Sequence, residues 1–382
     1  LRIAVVHSFY RSTEPSGENI VVENQVAALR DAGHEVKLIA RSTDEASQEP
    51  LYEIKAAFAA AGAFGPSPIP EIEDFGPDVI HVHNLFPNWG TRWASVARAP
   101  IIATIHNFRY VCAAASLHRK GDACTECLDR GSRSAIVHAC YRESRIATAP
   151  LAWASRNGGH KNAVLQNCKK LVCLNDQAVN IFSAVVGQTR VVHIPNFVDP
   201  PVITASIDDR NEGDYVYVGR LTHEKGIEWL LNHWPSGRVL TVIGSGPLEE
   251  HIKLCARRNN AVRFEGRLGH DETLRRIGKA KAIILPSMWL EGLPTVVLEA
   301  YSAGTPAVIS NRCGAASELV RGGAGIVFNP DDGSSGLVAA LDNIEATVRA
   351  RSLAARKLYG QEYSKAKWEQ RMTSVYLAAI GG

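Results

Sequence analysis

A chain of 382 residues exceeds the roughly 100–200 residues of one ordinary domain, so two separate hydrophobic cores are expected. With 46% hydrophobic and 21% charged residues the chain is globular, which excludes disordered and collagen-like classes. Lys+Arg 42 against Asp+Glu 39 leaves a formal charge of +3, too weak a field for a dedicated nucleic-acid binder, so an anionic partner must be met locally.

No uncharged apolar run is long enough to span a bilayer. The opening LRIAVVH has one basic residue and a short apolar stretch, which reads as a first strand rather than an export signal. The expected compartment is the cytoplasm, where eight Cys in 382 residues stay reduced and clustered ones are weighed first as metal ligands.

RIAVVHS (2–8) is an apolar, β-branched run, followed by the polar loop RSTEPSGEN (11–19) and a helical pattern with Val22, Val26 and Leu29 before Gly33. EVKLIAR (35–41), DVIHVHN (78–84), PIIATIHN (100–107), KKLVCLN (169–175) and RVVHIPNF (190–197) read as further buried strands between helices. Residues 196–213 are polar and aperiodic, a linker. The alternation then restarts with DYVYVGR (214–220), GRVLTVIGSG (237–246), AVRFEGR (261–267), AKAIILPS (280–287), TPAVISN (305–311) and GAGIVFN (323–329). Two α/β domains with doubly wound parallel sheets follow, their carboxyl strand ends expected to face each other across a shared cleft. Residues 345–379 read as a helical tail anchored by Trp368 and Tyr376.

VIGSGPLEE (242–250) imitates a dinucleotide fingerprint, with Gly244-x-Gly246 after a strand and Glu265 about 20 residues on. Glu249 occupies the third glycine position, where close helix–strand packing wants no side chain, and a lone G-x-G carries little weight. The stronger signal is VGRLTHEKGIEWLL (218–231), in which Arg220 and Lys225 lie on a strand-to-helix turn whose helix is expected near Lys225 or Gly226. Two cations beside a helix start suit a diphosphate, although alone they read as solvated surface residues.

The partner segment is LPSMWLEGLPTVVLEAYSAGTPAVIS (285–310). A helix from about Pro294 to Ala303 would put Glu291 at its mouth and point Glu299 back towards that mouth, with the Gly292–Thr295 backbone turned to an anion. Two carboxylates there can accept hydrogen bonds from sugar hydroxyls. Both also read as acids complementing a helix dipole, a reading weakened for Glu299 because its helix is otherwise apolar.

The spacing Glu291-x7-Glu299 within S-x-x-x-EG-L-P-T-V-V-L-E-A, together with VGRL-x-x-EKG, resembles the retaining glycosyltransferases of family four, which have the GT-B fold of two facing Rossmann-like domains. AGHEV (32–36), VIHVHN (79–84), IIATIHN (101–107) and IPNFVD (194–199) extend the resemblance over nearly the full length. It implies an acceptor domain 1–200, a donor domain 211–360, and a final helix 361–382 returning to the first domain. It also implies that Arg220 and Lys225 bind the diphosphate of a nucleotide-sugar, UDP-sugar before GDP-sugar, and stabilise the leaving charge. Glu299 would hold the ribose, and Glu291 with Gly292, Leu293, Pro294 and Thr295 the transferred sugar and distal phosphate. Gly17 would let backbone approach the phosphates, His106 would sit beside the sugar, and Arg267 and Leu268 would lie at the base.

The implied reaction retains anomeric configuration: an acceptor hydroxyl attacks on the face the diphosphate leaves, and a diphosphate oxygen takes its proton. No Asp-x-Asp motif occurs, so no catalytic cofactor or divalent metal is required by the sequence. Two departures from the family pattern, Ser16-Gly17 for paired glycines and Asn107 for an Asp after the histidine, leave donor identity open. The alternatives are a nucleotide-sugar epimerase of the same fold and a non-catalytic nucleotide-sugar binder.

Within the insert 108–144, Cys112, Cys124, Cys127 and Cys140 form C-x11-C-x2-C-x12-C, with His118 and His138 as substitutes. A closed structural zinc site is the first reading, then reduced packing thiols, then a disulfide. Arg98 to Arg145 holds eight Lys/Arg against four Asp/Glu, an ordinary solvated face or one suited to a phosphorylated acceptor or peripheral contact with an anionic membrane. His7, His34, His81 and His83 read as strand-end or surface histidines.

Overall fold

The computed structural model describes residues 1–12, 17–62, 64–200 and 213–381. Ser16 and residues 201–212 of the expected linker lie outside that set. The chain forms two compact units, Leu1–Pro195 with Trp368–Gly382, and Asn196–Lys367.

In the first unit the strands are β1 (Arg2–Phe9), β2 (Glu35–Ser42), β3 (Val79–Val82), β4 (Ile101–Ile105), the short hairpin β5 (His118–Arg119) and β6 (Asp122–Ala123), β7 (Cys168–Cys173) and β8 (Val191–His193). Six of them make one parallel sheet in the order β2-β1-β3-β4-β7-β8. β3 and β4 are buried at every residue, as a sheet covered on both faces requires, which is why these runs lack polar alternation. The helix Gly17–Asp31 lays Val21, Val22, Gln25, Val26 and Leu29 against the sheet, a stripe at helical spacing.

The second unit contains β9 (Tyr215–Val218), β10 (Leu240–Ile243), β11 (Val262–Gly266), β12 (Ala282–Leu285), β13 (Ala307–Ser310) and β14 (Gly325–Phe328). Their order is β11-β10-β9-β12-β13-β14, all parallel, so the winding direction reverses between β9 and β12. Tyr215, Leu240, Val242 and Ile284 from the sheet share a core with Leu337, Leu341 and Ile344 of the helix Gly333–Leu358. Each such side chain contributes about 1.5–3 kcal/mol on burial. These are two Rossmann-like domains. Among the described residues no helix is long and apolar enough to cross a membrane.

The helical tail starts at Gly333, earlier than periodicity suggests, and is interrupted by a wide turn at Tyr359–Tyr363 before the helix Lys365–Gly381. Trp368 and Tyr376 of the last helix are buried. Tyr376 does more than fill space: its hydroxyl meets His81 Nδ1 at 2.8 Å, while His81 Nε2 meets Thr104 Oγ1 at 2.8 Å, all three side chains being buried. His81 is thus an interior histidine, not a surface one, and burial lowers its pKa to about 3. Tyr376→Phe leaves a buried ring nitrogen unpaired, so stability should fall by about 1–3 kcal/mol. A urea midpoint unchanged from the parent would contradict this.

Candidate active site

Where the winding of a doubly wound sheet reverses, the loops on either side diverge and leave a crevice at the carboxyl edge. In the second unit those loops follow β9 and β12, and they carry the cations and carboxylates singled out above. Gly226 brings them together. It adopts φ +73°, and a Cβ there would stand 2.0 Å from the Pro286 carbonyl oxygen, so the position needs glycine on both counts. Met288 N–H donates to the Glu224 carbonyl at 2.9 Å and ties the same two loops.

Lys225 is thereby held over the second loop, its Nζ 2.9 Å from Glu291 Oε2. Their side chains are only 19% and 7% exposed, so the pair is largely desolvated. Ser287 Oγ donates to Glu291 Oε1. Burial works against the charged form of Glu291, but the Lys225 ammonium and the hydrogen bonds from Lys225 and Ser287 outweigh it and hold the carboxyl below its ordinary pKa. Three N–H donors on Lys225 leave two beyond the one given to Glu291. Arg220, in contrast, is 62% exposed, with its guanidinium 3.8 Å from Glu224.

The helix starts differ in detail from the sequence expectation. A 3-10 turn covers His223–Lys225 and the α-helix begins at Ile227; Pro294 stands at the cap of the helix Thr295–Ala303 rather than inside it. Leu293 and Pro294 are buried, Gly292 and Thr295 half-buried. Arg267 and Leu268 follow β11 on the far side of β10, Arg267 exposed and Leu268 half-buried. Gly244, half of the dinucleotide-like decoy, has a packing role: a Cβ there would stand 1.9 Å from the Gly219 carbonyl oxygen, so the residue lets the loop after β10 close on the loop after β9.

In the first unit His106 directly follows β4, with its Nε2 2.8 Å from His83 Nδ1. Burial, reinforced by the nearby imidazoles of His7 and His81, lowers the pKa of His106 to about 3, so it is neutral at physiological pH. His7 and His83 are buried as well, so neither is a surface group, while His83 does follow the carboxyl end of β3 as a strand-end residue. A cavity of about 60 Å³ is lined by Glu18, His83, Asn84, His106, Asn107 and Arg109, among others. Gly17 opens the helix that carries Glu18, and among the described residues a Cβ there would meet no atom within 4 Å, so their packing does not demand the glycine.

Glu18 is the residue that sequence reasoning passed over, since an acid in a first helical turn reads as dipole complementation. Burial pushes its carboxyl up to about 7 against the opposing pull of Arg109 and of Asn107, whose Nδ2 lies 3.4 Å away. Cys112, Cys124, Cys127 and Cys140 flank the β5–β6 hairpin, with Cys112 and Cys127 buried.

Glu299 also rises to about 7, by burial alone, and no described group pairs with its carboxyl. The folded state therefore binds this proton more tightly than the unfolded one. Stability is intact below the ordinary pKa of 4.5, declines as pH rises towards 7, and bears the full cost above, up to ~3 kcal/mol. Glu299→Gln should raise the melting temperature at pH 8 by several degrees and by much less at pH 5; an equal shift at both would refute the assignment.

Two family models match the chain: that described as Glycosyltransferase Family 4 over residues 15–201 and that described as Glycosyl transferases group 1 over residues 212–346. A glycogen synthase from Mycobacterium tuberculosis is 28% identical over 321 residues, 80% of this chain and 70% of that protein. Among solved structures, sucrose-phosphate synthase from Thermosynechococcus elongatus superposes with a TM-score of 0.70 at 19% identity, covering 100% of this chain and 99% of that one. HepE from Anabaena, solved in complex with UDP, gives 0.62 at 14% identity, covering 99% and 100%. With matches to both domains and GT-B architecture throughout, the chain belongs to the family-four, group 1 glycosyltransferases.

Proposed function

We propose that the protein transfers a hexose from a nucleoside-diphosphate sugar to an acceptor hydroxyl with retention of anomeric configuration and without a catalytic metal. The observation that carries this reading is the Lys225–Glu291 pair at the switch point of the second sheet, eight residues before the unpartnered Glu299. A desolvated ammonium with two uncommitted donors suits the diphosphate of such a donor, and Arg220, free to swing on an exposed stem, adds a second cation. As the glycosidic bond breaks, negative charge grows on the leaving phosphate, and cations already fixed beside it lower the barrier without having to reorganise.

The remaining roles follow the same chemistry. Glu291, kept ionised by its partners, accepts hydrogen bonds from hydroxyls of the transferred sugar, with the Gly292, Leu293, Pro294 and Thr295 backbone beside it. Glu299 takes the two ribose hydroxyls, whose donors offset its desolvation. Arg267 and Leu268 meet the base. In the first unit the open face of Gly17 admits phosphate, and His106 offers a neutral imidazole to the sugar. With retention, a donor diphosphate oxygen receives the acceptor proton, so no strong protein base is called for. UDP-sugars are the first donors to test, the HepE complex with UDP being consistent with that choice.

Thermal shift with UDP-, GDP- and ADP-sugars should single out one donor, because a ligand that binds only the native state raises the melting temperature. With that donor, transfer or slow hydrolysis should proceed unchanged in EDTA, and NMR of the product should show the donor's anomeric configuration. Lys225→Ala should lose about 10²–10³-fold in kcat while remaining folded. Tight donor binding with no turnover over any acceptor would point to a binding module, and full activity in the Lys225 variant would remove the basis of the proposal.

A further inference from the structure

Two helices of the first unit are built inside out. The helix Gly17–Asp31 turns its large apolar residues to the sheet, whereas Tyr52–Ala60 buries Ala59 and turns Ile54 and Phe58 outward, with Leu51 before them at the same helical spacing. The helix Arg145–Ala154 does likewise: Thr148, Leu151 and Ala152 are buried, while Ile146 and Trp153, two turns apart on one face, stand in the open. Exposure reaches 71% at Leu51 and 87% at Ile146. Single exposed apolar residues are ordinary, but large ones gathered on two adjoining helices mark a contact surface. Neither helix can roll to hide them. The Tyr52 hydroxyl donates to Asn88 Oδ1 at 3.0 Å, and Asn88 is buried, its amide donating to Ser8 and Thr43 at 3.0 Å. Thr148 Oγ1 accepts from the Tyr141 N–H at 3.0 Å and donates to the Ser144 carbonyl at 2.6 Å.

The two helices pack against each other, and Ala59, Ala60, Leu151 and Ala154 from their inner sides line the same cavity as His106. Their outer faces therefore make one surface over that cavity. Its charge is one-sided. From Arg145 to Asn175 the sequence has no Asp or Glu but five Lys/Arg, namely Arg145, Arg156, Lys161, Lys169 and Lys170. Among the described residues none of Arg142, Arg145, Arg156 and Lys161 pairs with a carboxylate. Arg156 instead lies over the exposed Trp153 ring at 4.2 Å and donates to the Trp153 carbonyl at 2.6 Å. Arg145 stands in the first turn of its helix, where the dipole disfavours a cation, and no acid accompanies it there. On the neighbouring helix Lys55 is taken by Glu49 at 3.1 Å and Glu53 is exposed, so the positive field belongs to the Arg145–Ala154 side.

We propose that the outer faces of Tyr52–Ala60 and Arg145–Ala154 seat the protein on an anionic phospholipid surface. Exposed apolar side chains flanked by unpaired cations are what such a surface selects: the apolar groups enter the boundary between headgroups and acyl chains, and the cations meet lipid phosphates. Trp153, with an apolar ring and a polar N–H, suits the headgroup level. The helices lie on the bilayer rather than span it, since no described helix is long and apolar enough to cross. A second copy of this chain fits the face less well, because a two-fold contact sets the same uncompensated cations against one another.

The test is co-sedimentation of the full chain with vesicles of mixed phosphatidylglycerol and phosphatidylcholine, and with vesicles of phosphatidylcholine alone. Pelleting with the anionic vesicles is expected, with little on the neutral ones and a weaker interaction at high salt. Ile146→Glu combined with Trp153→Glu should abolish pelleting while the melting temperature holds, since both side chains are exposed. Arg145→Gln combined with Arg156→Gln should weaken partitioning about 30-fold. Parent protein left in the supernatant, equal pelleting on both vesicle types, or undiminished pelleting of the Ile146/Trp153 variant overturns the proposal. So does a dimer in solution that this variant breaks without any vesicle binding by the parent, which would give the face to a second copy. The readout needs no sugar donor, so its failure and a failure of the transferase reading are told apart.

Discussion

Glu291 is an ionised carboxylate almost wholly removed from water, and the second unit's site depends on that charge being matched. Taking such a group out of solvent costs several kcal/mol, recovered only with good geometry and additional hydrogen bonds. Lys225 and Ser287 supply both, one on each carboxylate oxygen. The contact exists because the backbone at Gly226 can lie against Pro286, and any side chain at 226 would force the loops apart. One glycine on the β9 loop thus determines whether a lysine reaches a glutamate 66 residues away. Losing either charge would leave the other buried and alone, costing about 3–5 kcal/mol.

The two units share an architecture and differ in what stands at the carboxyl ends of their strands. In the second, charged groups of both signs meet and compensate. In the first, His7, His81, His83 and His106 crowd together with no carboxylate paired to them among the described bonds, and burial keeps them neutral. Neutral imidazoles both donate and accept, so they can pass hydrogen bonds from His83 to His106, and from Thr104 through His81 to Tyr376, without desolvating charge. Glu18 stands between the two sides of this division: desolvation outweighs the pull of Arg109 and lifts its carboxyl to about 7, so it titrates near neutral pH.

Much of this was legible before any coordinates. Strands such as Val79–Val82 and Ala282–Leu285 announce themselves because a sheet buried on both faces must be apolar at successive residues, and the Glu291-x7-Glu299 spacing is written out in the chain. Other features are long-range and carry no local signal. That Gly226 serves a contact with Pro286 cannot be read from a glycine following a lysine. The burial of His81 depends on Tyr376, 295 residues later. The helix start at Ile227, capped by Gly226, falls one residue past the expected Lys225 or Gly226 because a 3-10 turn precedes it, an end effect that propensities resolve poorly.

Glu291 and Glu299 lie one helical entrance apart and are driven in opposite directions, one below the ordinary carboxylate range and one up to about 7. Burial pushes both up; only Glu291 has a cation and a hydroxyl to reverse it. When neighbouring carboxyls are separated in this way, their environments have assigned them different tasks. The compensated one is complete in the free protein and orients Lys225. The uncompensated one is poised to gain most from a ligand that brings hydroxyl donors, because the binding of those donors relieves a cost the empty protein carries. Glu299 should therefore contribute more to the discrimination between bound and free states than its solvent-facing equivalents could, since affinity is measured against the free protein and not against an ideal one.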